Sequence, residues 1–251
     1  MQFRASQSEA RSDTIGDMRI TTMLVLLLCE MSAQDDGTVV SSPNAWPDKD
    51  RYLALEMRTS GGISPETRLQ SGKAMVVGHT NPFAVHAGLE ALKHGGNAAD
   101  AVLTTALAQV ALNAGAAVSY AGILTAVYYD ANSGNVYSLN AGWNTPPKET
   151  DPLSIPQSGT ASGRTALIPG FMAGVQALHQ RFGHLSFAEL FEPSIWLADH
   201  GFPLPPVVSN WYHGEAASLE RLEETRRVFR KEDGSAYDEG DIFSQPHWLR
   251  R

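Results

Sequence analysis

The residues of this chain that could do chemistry are few and widely spaced. Its eight histidines are not placed with carboxylates in HExxH or a similar ligand spacing, so the sequence does not support a metal site. The single cysteine, Cys29, excludes a disulfide framework and a thiolate metal site. His79 follows a predicted strand and precedes a predicted helix start. It could therefore reach into a site, or it could be a hydrogen-bonded structural residue.

Composition and charge exclude one large class of partner. The 251 residues are 43% hydrophobic, which is enough for a sizeable core, and the formal net charge is −8. Basic residues cluster at Arg226-Arg227 and Arg230-Lys231, but acidic residues lie among them, as is typical of the solvated face of a helix. Because no basic patch could follow a phosphate backbone, we expect no nucleic-acid partner.

The first 71 residues are predicted to lie outside the main folded region. Within residues 1–33, Arg19 precedes the apolar run Met23–Leu28, and small residues follow, an order that resembles a secretory signal. This predicts a secreted or periplasmic protein, and the alternative is a disordered tail with an incidental apolar patch. The run is too short to span a bilayer as a helix. Residues 34–71 are rich in Asp, Ser, Pro and Thr and predict a linker or loosely ordered arm.

The folded region is predicted to begin near residue 72 with a short strand and two helices. Residues 74–77 are apolar enough for a strand, and Asn81 can cap a helix that begins at Pro82. Gly95 suits the left-handed residue that ends such a helix. Asn97 then predicts the cap of a second helix, from Ala98 to about residue 113, whose composition indicates burial on nearly all sides.

The later part of the chain alternates predicted strands and helices. Residues 123–129 and 135–139 flank a turn that ends in glycine, which predicts a hairpin. A short strand is predicted at 165–168, and helices at 170–182 and 216–231. Ser186 and Glu189 fit a capping box, and Gly201 ends the helix that follows. Strands interleaved with buried helices indicate a layered α/β or α+β fold.

Individual side chains were assigned from their helical positions. His86, His179 and His184 are predicted to be surface groups, because they lie on helix faces or at helix ends. Phe187, Leu190 and Trp196 fall at helical spacing and are predicted to be core residues.

Four segments stand out by their order and spacing within residues 72–251. They are Val76 to Pro82, the run from His94 to Ala101 with Gly95-Gly96-Asn97, the hairpin from Tyr129 to Leu139, and Ala166-Leu167-Ile168-Pro169-Gly170 with its continuation through Arg181-Phe182-Gly183, Phe187 to Leu190, Pro193, Leu197-Ala198 and Gly201 to Pro203. Each segment alone is common. Together they resemble the large-subunit half of the γ-glutamyltranspeptidase family.

The resemblance implies a fold and a reaction. The fold would be an α+β Ntn-hydrolase sandwich with αββα layers, incomplete because only the large-subunit portion is present. Family members cut themselves into a large and a small subunit, and the new N-terminal threonine attacks a γ-glutamyl amide with its own α-amine as base. The implied partners are the threonine-bearing small subunit, in cis or in trans, and a small γ-glutamyl or amide substrate. No metal or organic cofactor is implied.

The nucleophilic threonine of the family has no match in this chain. The family's small subunit opens with Thr-Thr-His or a close variant, whereas this chain has Thr21-Thr22-Met23 and Thr104-Thr105-Ala106. The first pair lies in the signal-like region and the second in a predicted buried helix. We therefore predict no catalytic residue within the chain and expect it to be inactive alone.

A second departure falls where the family grips the substrate. After the hairpin the family shows Leu-Asp-Gly-Arg-Glu-Thr-Ala-Pro, and its arginine binds the α-carboxylate of the substrate. Here Gly142 takes the arginine position and Trp143 the glutamate position. The change indicates either an altered substrate or a substitution without consequence in a decaying copy. The residues of this chain that bind the substrate are therefore left unassigned.

Two further features concern the same region. The glycine-rich turn of the family is replaced by the residues from Ala117 to Leu124, of which only Gly122 matches, so the pocket is either reshaped or lost. Arg164 lies in a glycine-flanked loop, where it is either an ordinary loop residue or an electrostatic replacement for the missing arginine.

The sequence thus predicts the N-terminal part of a γ-glutamyltranspeptidase-like enzyme that transfers or hydrolyses γ-glutamyl amides such as glutathione-like peptides. One alternative is an amidohydrolase of the same family that acts on small or non-glutamyl amides. The other is a non-catalytic remnant or binding module.

Overall fold

The computed structural model describes residues 3–6, 41–58, 65–156 and 162–245. The helices are α1 (Lys49–Leu55), α2 (Pro82–Lys93), α3 (Ala98–Leu112), α4 (Phe171–Phe182), α5 (Glu192–His200), α6 (Pro206–Gly214), α7 (Ala216–Leu219) and α8 (Glu223–Phe229). The strands are β1 (Phe3–Ser6), β2 (Arg68–Ser71), β3 (Ala74–Val77), β4 (Leu124–Asp130), β5 (Asn135–Ala141), β6 (Phe202–Pro203) and β7 (Ile242–Phe243). The apolar run at 23–28, on which the signal prediction rests, lies outside the described residues.

The α2–α3 helical pair forms as the sequence predicts. Gly95 has a φ of +90°, which turns the chain after α2 at no steric cost. Asn97 Oδ1 accepts the backbone N–H of Ala99 at 2.8 Å, and Asp100 Oδ2 accepts the N–H of Asn97 at 2.9 Å. This reciprocal capping box satisfies N–H groups that the first turn of α3 leaves free.

Removing this cap gives a first testable prediction. Asn97→Ala should lower the free energy of unfolding by about 1 kcal/mol, because the first turn of α3 loses its acceptor. The matched control is Asn132→Ala, since Asn132 is an exposed turn residue. Urea unfolding followed by circular dichroism measures both. Equal stabilities of the two variants would contradict the role of Asn97.

The start of α2 differs from the prediction. Asn81 has a φ of +63° and its side chain makes no capping bond to the helix. Instead Glu56 Oε1 accepts the backbone N–H of Phe83 at 2.8 Å, and Glu56 Oε2 accepts Nδ2 of Asn81 at 2.9 Å. The helix is therefore capped by a buried carboxylate from 27 residues upstream. The prediction that Asn81 caps α2 was wrong, because a tertiary acceptor took the place of the local one.

Residues described as a linker in the sequence prediction are part of the folded unit. Helix α1 packs against α2, and β2 pairs antiparallel with β3. Trp46 is buried, and Asn44 Oδ1 accepts the indole N–H of Trp196 at 2.8 Å. The prediction of a loose arm at 34–71 therefore has to be corrected for residues 41–58 and 65–71. Likewise, residues 3–6, inside the predicted tail, form β1 and pair antiparallel with β5.

The β4–β5 hairpin forms two of the three strands of the main sheet, whose order is β1-β5-β4. Leu124 pairs with Ala141 and Asp130 with Asn135, and Gly134 takes a φ of +70° in the turn. One face of the sheet packs on α3 and α4 through Leu139, Phe171 and Val175. The hairpin prediction is confirmed, and the sheet presents its other face to solvent.

Three later predictions have different outcomes. The strand expected at 165–168 is wrong: a 3₁₀ turn spans Gly163–Thr165, and only Ile168 bridges, to Asn144. The helix expected at 216–231 divides into α7 and α8. The capping box is confirmed, because Ser186 and Glu189 exchange side-chain-to-backbone bonds at 2.8 and 3.3 Å.

Two apolar clusters hold these layers together. One lies between the sheet, α3 and α4, and is continued by Leu103, Leu107 and Leu190. The other joins α2, α3, α5 and α6 to the β6–β7 pair through Phe83, Trp196 and Phe243 among others. Helix α3 belongs to both clusters, which explains why its composition is apolar on nearly every side.

Candidate functional site

The two stretches in which the sequence departs from the family's pattern, before β4 and after β5, meet the N-terminus of α4 where the hairpin ends. The carbonyl oxygen of Gly122 accepts the backbone N–H groups of Gly170 and Phe171 at 3.2 and 3.1 Å. Asn144 and Ile168 exchange N–H···O bonds of 3.0 and 2.8 Å. These bonds fix the turn before β4, the residues after β5 and the N-terminus of α4 against one another. We call this arrangement the hairpin junction.

Gly142 lies in this junction, directly after β5. Its φ is not in the left-handed region, and an added Cβ would meet only the side-chain oxygen of Asn140, at 3.3 Å. A larger residue therefore fits after a small rotation of Asn140. The absence of arginine at this position is not imposed by the backbone. That Gly142 corresponds to the family's arginine stays a prediction.

Trp143, at the predicted glutamate position, lies on the outside of the junction. Its side chain is 55% exposed, and its indole N–H donates to the carbonyl oxygen of Ala121 at 3.4 Å. An indole has no acceptor for a substrate amine, whereas a carboxylate would have one. The side chain at this position therefore offers no carboxylate to a ligand.

Arg164 is not free to replace the missing arginine. Its Nε and Nη2 donate to the two carboxylate oxygens of Glu149 at 2.8 and 2.9 Å, in a forked pair. Two further guanidinium bonds reach the carbonyl oxygens of Asp151 and Ser154. The hydrogen bonds from Arg164 are the main cause of a lowered pKa of Glu149, to about 2. Arg164 thus stabilises the loop to which it belongs. The hypothesis that it replaces the family's arginine electrostatically is not supported.

The threonine pair of α3 is structural. Thr104 and Thr105 are 3% and 6% exposed, and Thr105 Oγ1 donates to the carbonyl oxygen of Ala101 at 2.8 Å. Thr105 also packs against Gly88, where α2 and α3 approach closely. Their nitrogens are peptide nitrogens inside a helix, so neither residue has the free α-amine that the family's chemistry needs. Thr21 and Thr22 lie outside the described residues.

Three of the four histidines singled out in the sequence, His79, His179 and His184, are exposed or half-buried. His79 is exposed, and His184 is also exposed while its backbone N–H donates to Asp100. His179 is half-buried, and its Nε2 lies 2.8 Å from the carbonyl oxygen of Leu185. His179 and His184 therefore have structural bonds rather than a shared site.

His86 is the exception, because the prediction of a surface group was wrong. It is 2% exposed, and its ring stacks on Tyr52 with a centroid distance of 4.1 Å and meets the edge of Trp46 at 5.3 Å. Burial lowers the pKa of His86 to about 4, against the opposing charge of Glu90. No local pattern indicates the burial of His86, because the rings that cover it come from residues 46 and 52.

The predicted core residues are mostly confirmed. Leu190 and Trp196 are buried, at 0% and 8% exposure, whereas Phe187 is 37% exposed and packs on His179 and Phe191 at the surface.

A cavity of ≈ 610 Å³ opens beside the hairpin junction. Ser119, Tyr120 and Ala121 form the rim that faces the junction, and Ala121 is the residue that accepts the bond from Trp143. Its remaining walls come from α3, α4, α5, α8 and the β6–β7 pair: Val110, Met172, Ser194, Leu197, Phe202, Phe229 and Phe243 are among them. Its size is that of a small-molecule pocket.

The polar residues that line this cavity are Ser119, Tyr120, Ser194, Ser244 and Gln245. Ser194 is 6% exposed, and its Oγ has no hydrogen-bond partner among the described residues. Burial raises the pKa of Tyr120, and the nearby Ser194 hydroxyl opposes that rise, although the two do not meet in ordinary hydrogen-bond geometry. Sequence reasoning missed both residues, because a serine after Pro193 in a helix carries no local sign of an unpaired hydroxyl.

Neither a metal-ligating group nor a membrane-spanning helix is found among the side chains and helices that the structure describes. Within residues 41–58, 65–156 and 162–245, His, Cys, Asp and Glu side chains form no group of three that could hold a metal ion. Among the described helices, none combines the length and apolarity that crossing a bilayer requires.

Comparison with solved structures identifies the class of fold, that of the Ntn-hydrolases. Its structure is similar to that of γ-glutamyltranspeptidase from Helicobacter pylori, with a TM-score of 0.62 and 26% identity over 70% of this chain and 52% of that chain. The described sheet and helices are thus a portion of the α+β Ntn-hydrolase sandwich, as the sequence predicts.

The family follows from the sequence comparison. The family model for gamma-glutamyltranspeptidase matches residues 84–250, so this chain belongs to the γ-glutamyltranspeptidase family. It is 27% identical to the glutathione hydrolase proenzyme of Bacillus subtilis over 186 residues, which is 69% of this chain and 30% of that protein. It is 30% identical to the capsule biosynthesis protein CapD proenzyme of Bacillus anthracis over 128 residues, or 50% of this chain and 21% of that protein. The chain therefore spans less than a third of these two relatives.

Proposed function

We propose that this chain is the N-terminal, large-subunit part of an enzyme that transfers or hydrolyses γ-glutamyl amides of the glutathione type. A threonine of a partner subunit, made in cis or supplied in trans, would be the nucleophile. The observation that carries the proposal is the family match over residues 84–250. Two relatives, in Bacillus subtilis and in Rattus norvegicus, are glutathione hydrolase proenzymes.

The outer face of the sheet supports a partner subunit. Val127, Tyr129 and Val136 lie on one face, since Tyr129 pairs with Val136, and they are 78%, 63% and 41% exposed. Exposed apolar patches of this kind mark interaction surfaces. In a sandwich of two sheets, this is the face that a second sheet would cover.

The proposal is tested by assaying the complete protein with γ-glutamyl-p-nitroanilide. We expect release of the anilide, and its loss when the threonine that opens the small subunit is replaced with alanine. The 251-residue chain alone should be inactive. Anilide release that survives the threonine replacement would contradict the proposed mechanism.

A second candidate is an amidohydrolase of the same family that acts on small or non-glutamyl amides. The observation that favours it is Gly142, which offers no cation to an α-carboxylate, while Arg164 is occupied by Glu149. A substrate carboxylate left unpaired in a site costs binding energy. Activity on small acyl amides that exceeds activity on the γ-glutamyl anilide would support this candidate.

Restoring the arginine separates the two candidates. In the complete protein, Gly142→Arg should lower KM for the γ-glutamyl anilide about thirtyfold, equivalent to about 2 kcal/mol, because a guanidinium would pair with the α-carboxylate. Gly163→Arg is the matched control, since it adds the same charge at an open loop position. An unchanged KM in Gly142→Arg would remove this position from substrate binding.

Export of the protein is a further proposal, based on the signal-like order of residues 18–33. Detection of the processed protein outside the cytoplasm would test it.

A non-catalytic remnant is the remaining alternative. It would be favoured if the complete protein folds, remains soluble and cleaves neither kind of amide.

A further inference from the structure

We propose that Arg164 is a positioning residue, which clasps the loop between β5 and α4 and thereby holds the hairpin junction in the geometry that binds substrate. The inference rests on the proposed amide-cleaving function, because the family's substrate-binding positions are predicted to lie in this junction. The loop comprises residues 142–170, of which 142–156 and 162–170 are described.

The guanidinium of Arg164 joins the two described parts of this loop. Besides the forked pair with Glu149, its Nη2 lies 3.0 Å from the carbonyl oxygen of Asp151 and 3.0 Å from Oγ of Ser154. Its Nη1 donates to the carbonyl oxygen of Ser154 at 3.3 Å. Glu149 is held in turn, since its Oε1 also accepts the N–H of Asp151 at 2.9 Å. A forked pair in such a network is the geometry in which an exposed ion pair contributes measurably.

The clasp lies close to the base of the loop, which belongs to the hairpin junction. Glu149 is five residues after Asn144, and Arg164 is four residues before Ile168. Asn144 and Ile168 are the two residues that exchange N–H···O bonds at the base. Without the clasp, that bridge would have to close the whole loop, and closing a longer loop costs more chain entropy.

The same base carries the predicted substrate positions. Gly142 and Trp143 lie between the end of β5 and Asn144. An added Cβ on Gly170 would overlap the carbonyl oxygen of Gly142, so the two ends of the loop are in close contact. A shift of the base therefore moves Gly142 within the junction. Misplacement of a binding group by about 1 Å is enough to weaken productive binding.

The geometry argues against direct binding of the substrate by Arg164. A substrate carboxylate would have to displace Glu149 from the fork. The Glu149 side chain is 9% exposed, so its charge would then be poorly hydrated and without its partner, which is unfavourable. Arg164 therefore acts on the substrate through the loop.

Hydrogen exchange of the complete protein tests the clasp without any assay of catalysis. Peptides that span residues 142–146 and 166–170, analysed by mass spectrometry, report opening of the base. We expect Arg164→Gln and Glu149→Gln each to speed this exchange about fivefold, the scale of one well-formed exposed ion pair. The double variant should match the single ones, because both remove the same interaction. Arg227→Gln breaks an exposed ion pair with Glu223 on α8 and is the matched control, with unchanged exchange.

Kinetics with the γ-glutamyl anilide and a neutral acyl anilide test the effect on the substrate. Both single variants should raise KM about fivefold for whichever anilide is cleaved, with kcat unchanged, because binding must then order the loop. Arg164→Lys keeps the charge but not the fork, so it should raise KM to the same extent. If Arg164 bound the carboxylate directly, Glu149→Gln would free it and lower KM for the γ-glutamyl anilide. Circular dichroism confirms that each variant is folded.

Two results would overturn the proposal. Unchanged exchange at the base in folded variants would show that Arg164 does not hold the junction. Faster exchange with an unchanged KM would make Arg164 a structural residue of its loop alone. If the complete protein cleaves neither anilide, the proposed function fails, and the exchange measurement by itself upholds or overturns the clasp.

Discussion

Gly170→Ala should lower the free energy of unfolding by about 3 kcal/mol or more, the cost of a strong clash in a packed core. The added Cβ would overlap the backbone carbonyl oxygens of Ala141 and Gly142, which cannot move without breaking the end of β5. Gly170 also donates its N–H to Gly122, so a shift of this residue would loosen the hairpin junction as well. Urea unfolding of the variant and the wild type measures the difference.

The matched control is Gly163→Ala, seven residues upstream. A Cβ at Gly163 would meet no atom within 4 Å, and its φ is not left-handed. We therefore expect this variant to change the free energy of unfolding by less than about 0.5 kcal/mol. If both alanine variants were equally stable, the close approach of α4 to the end of β5 would be wrong.

The contribution of Glu56 to the stability of the protein should fall as the pH rises from about 4.5 to about 7. Burial raises the pKa of Glu56 from 4.5 to about 7, against the two bonds that it accepts from Asn81 and Phe83. The folded state therefore holds this proton more tightly than the unfolded state. The contribution is complete below pH 4.5 and is lost as the pH passes through 7. A shift of this size corresponds to a loss on the order of 3 kcal/mol.

Glu56→Gln isolates this effect from the other ionisable groups. Glutamine has the same shape but no charge, so the difference between the two stability profiles reports Glu56 alone. We expect the wild-type free energy of unfolding to fall relative to the variant across the pH range from 4.5 to 7. Urea unfolding at half-unit pH intervals measures both profiles. Parallel profiles would show that Glu56 does not hold its proton in the folded state.

Local signals in the sequence predicted those elements whose partners are close in the chain. The capping box of Asn97 and Asp100 and the left-handed Gly95 are made within a few residues, so residue type and spacing were sufficient. The hairpin was equally local, with its turn ending at Gly134. The order of these elements also indicated the family before any coordinates were considered.

Predictions failed where the partner came from far along the chain. Asn81 has every local property of a helix cap, yet Glu56 took that role because the segment around α1 packs on α2. His86 has a helix-surface spacing, yet Trp46 and Tyr52 cover it. Both errors have one source, which is that residues 41–58 were interpreted as a linker.

For the candidate site, the sequence alone predicted that Gly142 and Trp143 take the family's arginine and glutamate positions, because such a prediction needs only residue identity and order. Only the tertiary structure decided that Arg164 is engaged by Glu149 and that an apolar cavity lies beside the hairpin junction. Hydrogen-bond partners and cavities depend on which distant segments of the chain are in contact. A local sequence pattern does not specify those contacts.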